Sequence, residues 1–294
     1  MAGKKVRMPV RAGSFYPRGA EAVNAEIDAA AAKAKRPEGA AGRAVAAIAP
    51  HAGWTYSGPT AYAAIKTLLD HSQPRTVVVF GAVHAWNVML PSITEADEWA
   101  TPLGTLEVDA ELREALLGSG LPLEADEHAH HGEHSIEVLL PFVQALSGKV
   151  RILPVAAPPM PESIVMGRAI AEASAVPEEI VALASTDLTH YGPNYYGWAP
   201  QGVGEKALKW VKEVNDRAVI EAMLDMREAD IIENARRDHS ACGAGAAAAA
   251  AAFAKAMGAD AGLLVDYTTS YDAHPDGAPS DFVGYAGIVY MARP

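Results

Sequence analysis

Two histidines that directly follow short apolar runs have the residue type and position needed for chemistry. His51 follows the run 46–50, and His84 follows the run 77–83. Both runs are continuous in Val, Ile and Ala, which is typical of buried parallel strands. In an open α/β sheet, the loops after the carboxyl ends of such strands form the ligand crevice. The sequence therefore predicts a metal site or an acid–base pair there, although either histidine alone would also fit a structural, hydrogen-bonded role.

The single cysteine, Cys242, stands just before the Ala- and Gly-rich run 243–252, which we interpret as a helix. A helix N-terminus lowers the pKa of a thiol and favours the thiolate, which binds metals and attacks electrophiles. A small buried apolar residue is the alternative. His239 is a competing ligand on the same turn. The small residues of the run predict close helix packing, either within the domain or between subunits.

Asp187 and His190 lie three residues apart after the strand-like run 180–184. If this segment is helical, the two side chains share a face, and the carboxylate orients the imidazole for general acid–base catalysis. A helix N-cap and a surface histidine are the alternative reading.

A histidine-rich tract forms a third polar feature. Four histidines occur within seven positions: His128, His130, His131 and His134. The first three are expected in a loop, because such a tract is also typical of a solvated segment with promiscuous metal affinity. His134 and Glu137 are better candidates for a cavity, since they would open the helix predicted over 135–146.

Strand-like and helix-like segments alternate along the chain. Apolar runs predict strands at 45–49, 76–81, 150–155, 180–184, 262–268 and 282–290. Helices are predicted at 20–35, 60–69 (with Pro59 at its start), 109–117, 135–146, 161–174 and 205–223. This alternation predicts an α/β fold, a single domain over 1–294 with a mostly parallel central sheet flanked by helices.

The composition excludes several classes of partner. The 294 residues are 50% hydrophobic and carry a net charge of −12, which disfavours nucleic acid and anionic membrane surfaces. One cysteine excludes an internal disulfide framework. We find no secretory signal or apolar span and expect a cytoplasmic protein. The assembly stays open, with a twofold homodimer as the commonest default.

Six ordered motifs make the chain resemble the Memo family over nearly its whole length. They are RAGSFYP at 11–17, PHAGWTYSG at 50–58, GAVH at 81–84, EHSIEVLLP at 133–141, STDLTHYG at 185–192 and CG at 242–243. The resemblance implies a fold similar to that of the class III extradiol ring-cleaving dioxygenases. It also implies that His51, His84 and Cys242 hold iron, with Cys242 where the dioxygenases have a carboxylate. His190 then matches the acid–base histidine, with Asp187 beside it.

The thiolate leaves the identity of the metal open. Fe(II) is the metal that the resemblance favours, but a soft ligand also suits copper and zinc. Five residues are expected to line a substrate pocket: Trp54, Tyr56, His134, Glu137 and Tyr195. With the loop 194–198, their aromatic content suits a small, flat or apolar ligand.

Three functions are compatible with these residues. The first is a non-haem iron oxidoreductase that resembles a dioxygenase and acts on a small molecule. The second is a metal-binding or scaffold protein without turnover. The third is a metal-free Cys–His hydrolase with Cys242 as nucleophile, which leaves His84 without a role.

Overall fold

The computed structural model describes residues 3–85, 87–173, 176–195 and 197–292. Its strands are β1 (Val6–Arg7), β2 (Arg43–Ala49), β3 (Thr76–Gly81), β4 (Ser92–Ile93), β5 (Glu98–Thr101), β6 (Gly104–Glu107), β7 (Glu124–Ala125), β8 (Arg151–Ala156), β9 (Ile180–Ser185), β10 (His190–Tyr191), β11 (Ala259–Thr269) and β12 (Phe282–Ala292).

Its α-helices are α1 (Ala20–Lys33), α2 (Trp54–Asp70), α3 (Ala110–Leu117), α4 (Leu140–Ser147), α5 (Pro161–Ala173), α6 (Glu205–Trp210), α7 (Asp216–Leu224), α8 (Glu228–Asp238), α9 (Ala244–Ala256) and α10 (Ser270–Ala273). Short 3₁₀ turns cover Glu127–Ala129 and Pro177–Glu179, and a π-helical turn at Val211–Asn215 joins α6 to α7. The predicted end of the fifth helix, Ser174, lies outside the described residues.

The main sheet has the strand order β10-β12-β2-β9-β3-β8-β4-β7, and β11 pairs with β12. Its centre, β2-β9-β3-β8, is parallel, whereas β12 runs antiparallel to β2 and β4 runs antiparallel to β8. A small second sheet has the order β1-β5-β6. The predicted α/β class with a central parallel sheet is therefore confirmed, with antiparallel strands added at its sides.

Continuous apolar composition explains the position of the central strands. Every residue of β3 and β9 is buried, as expected for strands covered by helices on both faces. Helix α9 packs across β9, β2 and β3 and against α5, while α2 packs on β2 and β12. The approach of α9 to α5 requires glycine at Gly167, where a Cβ would lie 2.1 Å from the Ala249 carbonyl oxygen. The small residues of α9 thus pack within the chain.

The register of the parallel strands sets the edge at which the loops leave. Ala49 of β2 pairs with Ser185 of β9, and Phe80 of β3 pairs with Ala184. The segments after β2, β3 and β9 therefore start at one edge of the sheet. His51, His84 and Asp187 are two or three residues beyond these ends, so the sheet brings them together.

Two predicted helix starts were wrong, and the condition set for Asp187 and His190 is not met. Helix α2 begins at Trp54 rather than near Thr60, so Pro59 lies inside its second turn. Helix α4 begins at Leu140, because Pro141 suits the first turn of a helix and residues 135–139 form turns before it. The segment 186–189 is not helical and leads into β10, where His190 pairs with Val283. In the described ranges, no helix combines the length and the apolar character needed to cross a membrane.

Candidate metal centre

His51, His84 and Cys242 converge at the carboxyl edge of the sheet. One ligand atom from each lies within 4.8 Å of the others. The Cys242 Sγ to His51 Nε2 distance is 3.4 Å, and the rings of His51 and His84 have centroids 5.5 Å apart at 84°. The three residues predicted as ligands from different parts of the chain thus form one cluster.

Hydrogen bonds fix the ring of His51. Its Nδ1 lies 2.8 Å from Ser185 Oγ, and Ser185 Oγ donates its own hydrogen to the Ser135 carbonyl at 2.7 Å. Because that hydrogen is used, the serine oxygen must accept from Nδ1–H. The neutral imidazole then has its free lone pair on Nε2, the atom that faces Cys242.

A buried carboxylate does the same for His84. Glu133 accepts from His84 Nδ1 at 3.0 Å and from the backbone nitrogens of His84, His134 and Ser135. A carboxylate accepts only, so Nδ1 carries the hydrogen and Nε2 is free. Although burial raises it, the pKa of Glu133 is held well below its usual range by the bonds and charge of His84 and the bond from Ser135 N.

Cys242 is placed by the turn before α9. Its backbone nitrogen donates to the Asp187 carbonyl at 3.2 Å, and Gly243 N donates to Thr186 Oγ1 at 2.9 Å. Position 243 requires glycine, because a Cβ there would lie 2.2 Å from the Ser185 carbonyl oxygen. Burial opposes ionisation of the thiol, but the charge and the hydrogen bond of His51, together with the nearby imidazoles of His84 and His190, lower the pKa of Cys242 well below its usual value.

Asp187 lies between two histidines. Its Oδ2 is 3.9 Å from both His51 Nε2 and His190 Nε2, and its Oδ1 accepts from the backbone nitrogens of His51 and Ala52. The predicted pairing of Asp187 with His190 is thus present through an extended segment rather than a helix. Among the described residues, the buried Nε2 of His190 has no hydrogen-bond partner, and one ligand atom each of Asp187, His190 and Cys242 forms another group in which the atoms lie within 4.8 Å of one another.

The cluster concentrates charge in a buried place. Burial lowers the pKa of His51, but the negative charges of Asp187 and Cys242 raise it to about 9. Burial also lowers the pKa of His84, but the interactions of its ring with Cys242 and Glu133 raise that pKa to about 10. His134 behaves oppositely, since burial and the charge of His51 lower its pKa to about 3. These shifts favour the thiolate of Cys242 and the protonated forms of His51 and His84, whereas they favour the neutral form of His134.

Two further buried residues connect the walls of the cluster. Asn215 Nδ2 donates to Thr189 Oγ1 at 2.9 Å and to the Asp238 carbonyl at 3.0 Å, so it joins the segment of His190 to the segment that leads to Cys242. Asp216 accepts from Thr189 N at 3.1 Å and from Tyr267 at 2.7 Å. Asn215 is the last residue of the π-helical turn, and Asp216 comes directly after it. Such turns are frequent at functional sites.

The sequence predicted only some of the residues that form this arrangement. Ser185, Glu133, Asn215 and Asp216 received no role from it, although Glu133 and Ser185 each open a recognised motif. Their partners lie tens of residues away, so no spacing rule indicates them.

The predicted pocket residues separate into two groups. His134 stacks on His84 with centroids 4.9 Å apart, and Tyr195 contacts His190 at 5.3 Å. Trp54 is instead buried, stacks on Phe142 at 4.1 Å and donates to the Val138 carbonyl.

The other two predicted pocket residues lie away from the ligand atoms. Glu137 is occupied by Arg7 and Tyr16 and by two backbone nitrogens. Tyr56 is 43% exposed and contacts His274. Tyr196 of the predicted pocket loop lies outside the described residues.

The histidine tract is less solvated than expected. His128 and His131 are exposed, but His130 is fully buried, with Nε2 3.0 Å from the Ser92 carbonyl. His239, the competing ligand, caps α8 with φ 51° and packs against Trp198. None of these four histidines belongs to the groups of potential ligands found in the described part of the chain.

Comparison with known proteins finds relatives that match this chain over nearly its whole length. A MEMO1 family protein of Pyrococcus abyssi is 34% identical over 293 residues, covering 97% of this chain and 99% of its own length. One from Thermococcus kodakarensis is 36% identical, with 97% and 99% covered. The crystal structure of an uncharacterized protein from Escherichia coli aligns with a TM-score of 0.47 and 13% identity, covering 84% of this chain and 99% of that one.

The family assignment rests on the length of the match. The family model described as Memo-like protein matches residues 7–289, which include the segments of all six sequence motifs. The chain therefore belongs to the Memo family.

Proposed function

We propose that the chain holds one Fe(II) ion through His51 Nε2, His84 Nε2 and Cys242 Sγ, and uses it in dioxygenase-like oxidation of a small molecule. Copper and zinc are the alternative metals. One observation carries the proposal: three ligand atoms from three separate segments converge, while Ser185 and Glu133 occupy the opposite nitrogens of the two imidazoles. Such outer partners are typical of histidines that bind metals.

The residues present fit a metal ion. Bonds of about 2.1 Å to nitrogen and about 2.3 Å to sulfur place two ligand atoms roughly 3.1–3.7 Å apart at ordinary coordination angles. The 3.4 Å distance from Cys242 Sγ to His51 Nε2 lies within that interval. Three protein ligands leave positions free for a substrate, and the His84 side chain is 38% exposed, so the cluster opens on one side.

When bound, the metal supplies Lewis-acid and redox chemistry at this edge of the sheet. The remaining steps belong to the chain. His190 Nε2, to which no described residue is hydrogen-bonded, accepts or returns a proton of the substrate. Asp187, 3.9 Å away, stabilises the imidazolium that results. His134 covers one side of His84 and limits the access of water to the ligands.

A metal-free Cys–His hydrolase is the second candidate, because the 3.4 Å contact of Cys242 with His51 is also that of a nucleophile and its base. It leaves His84 and its buried carboxylate partner unexplained. Rapid alkylation of Cys242 that added Fe(II) or Zn²⁺ fails to slow would favour this candidate over the metal centre.

Anaerobic metal analysis tests the proposal directly. The chain is purified with Fe(II), copper or zinc supplied in turn, beside His51→Ala, Cys242→Ala and the control His128→Ala, which changes an exposed histidine. We expect about one ion per chain in the wild type and in the control, and loss of at least 100-fold in affinity in both site variants, since each removes one of three ligands. A wild type that binds none of the three metals contradicts the proposal.

Oxygen uptake separates an enzyme from a metal-binding protein. The iron-loaded chain is assayed with a panel of catechols, together with His190→Ala. We expect uptake that His190→Ala abolishes while it retains the metal. Full iron occupancy without uptake on any substrate supports a metal-binding or scaffold protein instead, and loss of metal in His190→Ala contradicts the acid–base role.

A further inference from the structure

A small cavity lies beside the candidate metal centre, on the side of His190. Its volume is about 270 Å³, near the lower end of the range for small-molecule sites. Four tyrosines contribute to its lining: Tyr56, Tyr195, Tyr271 and Tyr285. The remaining walls come from α10 and from the segment between α10 and β12.

Two tyrosines connect this cavity to the cluster. The ring of Tyr195 contacts the ring of His190, with centroids 5.3 Å apart at 66°. Strand β10 pairs with β12 so that His190 lies opposite Val283, and Tyr285 is on the same face of β12 as Val283. Burial, followed by the charges of Asp281 and Asp187, raises the pKa of Tyr195.

The charges that line the cavity have one sign. Asp276 and Asp281 are the carboxylates, and no lysine or arginine contributes among the described lining residues. His274 is the remaining titratable base, and its ring edge meets Tyr56 at 5.3 Å. Asp281 is held in place, because Oδ1 accepts from Asn194 N and Oδ2 accepts from Ser280, each at 2.8 Å. A fixed carboxylate among tyrosine faces is suited to a cation and unsuited to an anion.

We propose that this cavity binds a small organic cation, an ammonium group on a short aromatic or apolar body. The ammonium group lies at Asp281 among the tyrosine rings, and the body extends past Tyr195 towards His190. That this cation is the substrate rests on the proposed function; that it binds here does not, since no cavity residue is a metal ligand.

A second, larger cavity of about 580 Å³ lies between α1 and α2, and we do not propose it as the cation site. It is lined by Lys35, Lys66, Asp70 and His71, among others, and none of its residues belongs to the cluster. Lys66 and Asp70 pair with each other.

Three ligands with one ring and different charges test the proposal. Tyramine is a cation, 4-ethylphenol is neutral and 4-hydroxyphenylacetate is an anion at pH 7. Binding to the full chain is measured by calorimetry at physiological salt, with and without metal. We expect tyramine to bind about tenfold more tightly than 4-ethylphenol, and the anion to bind most weakly. Equal affinities for tyramine and 4-ethylphenol would overturn the proposal.

Two variants locate the binding. Asp281→Asn keeps the shape and the Asn194 contact but removes the charge, and Tyr195→Leu removes the ring beside His190. Each is expected to reduce the preference for tyramine at least threefold. Asp28→Asn, a control on the exposed face of α1, removes the same charge elsewhere and should leave the preference unchanged.

The outcomes separate this proposal from that of the metal. A preference for tyramine that persists in both cavity variants reflects general attraction to a chain of net charge −12, and overturns the site. Cation binding that depends on Asp281 in a chain that takes up no metal supports the cavity and refutes the metal centre. Metal binding without any preference for the cation does the reverse.

Discussion

Glu133 and Glu137 are buried carboxylates four residues apart, yet they belong to two different clusters. Glu137 accepts from Arg7, Tyr16 and the backbone nitrogens of Val10 and Arg11. It thereby anchors the N-terminal arm, and we call Arg7, Tyr16 and Glu137 the arm anchor. Glu133 accepts from the ring and the backbone of His84, which belongs to the candidate metal centre with His51 and Cys242.

The difference separates a structural polar cluster from the candidate functional one. In the arm anchor, a cation meets its anion, and the remaining donors belong to the same arm, so nothing is left to bind a ligand. At Glu133, the bond from His84 Nδ1 leaves the other ring nitrogen of His84 available to the group of potential ligands that it forms with His51 and Cys242. A thiolate, a carboxylate and three histidine nitrogens crowded together without full pairing are costly to bury, which is typical of sites that await a ligand.

The largest expected effect comes from breaking the arm anchor. Glu137→Gln leaves the Arg7 guanidinium, only 6% exposed, without its anion. We expect a loss of about 3–5 kcal/mol in the free energy of unfolding, measured in denaturant, because an uncompensated buried charge remains. The metal affinity of the folded fraction should stay within about threefold of the wild-type affinity, which corresponds to a change of less than about 1 kcal/mol in the free energy of binding.

The control makes the same change in an exposed ion pair. Glu221→Gln removes the partner of Arg217 at the surface, where the two side chains are 69% and 52% exposed, and should leave stability unchanged within about 0.5 kcal/mol. If Glu137→Gln proves equally neutral, the arm anchor is not a structural cluster.

Glu133→Gln is expected to have the opposite profile. It weakens the fixation of His84 Nδ1, so metal affinity should fall about 10–100-fold, as for other outer partners of metal ligands. Metal titration of the wild type and the variant measures the change, with His131→Gln as a control at an exposed histidine of the same tract. Unchanged affinity would show that Glu133 is as structural as Glu137.

Acid should act through His130, which flanks the arm anchor. Burial lowers its pKa to about 4, so the unfolded chain takes up a proton below about pH 6.5 that the folded chain refuses. Stability therefore falls as the pH drops from 6.5 to 4, by up to about 1.4 kcal/mol per pH unit. His130→Gln should reduce this slope by one proton, and the exposed His128→Gln should not. Unfolding curves at pH 6.5, 5.5 and 4.5 measure it, and equal slopes in all three proteins would contradict the assignment.

The smallest effect is expected at Asn215. Its hydrogen bonds stabilise the fold, and they also join the segment of His190 to the segment that leads to Cys242. Asn215→Ala leaves Thr189 Oγ1 and the Asp238 carbonyl without a donor and should cost about 1–2 kcal/mol of stability. Because these bonds join the two walls of the cluster, metal affinity should fall a few-fold as well. Asn234→Ala, at a half-exposed asparagine, is the control for both measurements. An effect on stability alone would place Asn215 with the arm anchor.

Regular patterns in the chain predicted the frame of the molecule well. Residues 76–81 and 180–184 are continuous apolar runs, and such runs have few alternatives to a covered parallel strand. The strand-end rule then predicted that His51 and His84 meet, since carboxyl ends of parallel strands share an edge. The residues at which helices begin were harder to predict. A proline such as Pro59 or Pro141 is compatible with the first turn of a helix, but tertiary contacts decide where that helix begins.

By itself, the sequence determined the α/β class, the family and the three residues that converge as candidate ligands, because these depend on local apolar patterning and contiguous motifs. Only the tertiary structure decided that Glu133 serves His84 while Glu137 serves Arg7, that Ser185 selects the tautomer of His51, and that Tyr195 and Tyr285 share a cavity with Asp281. The physical reason is distance along the chain. A hydrogen bond between residues 49 or 130 positions apart leaves no periodic signal, and it exists only when the sheet has brought its two ends together.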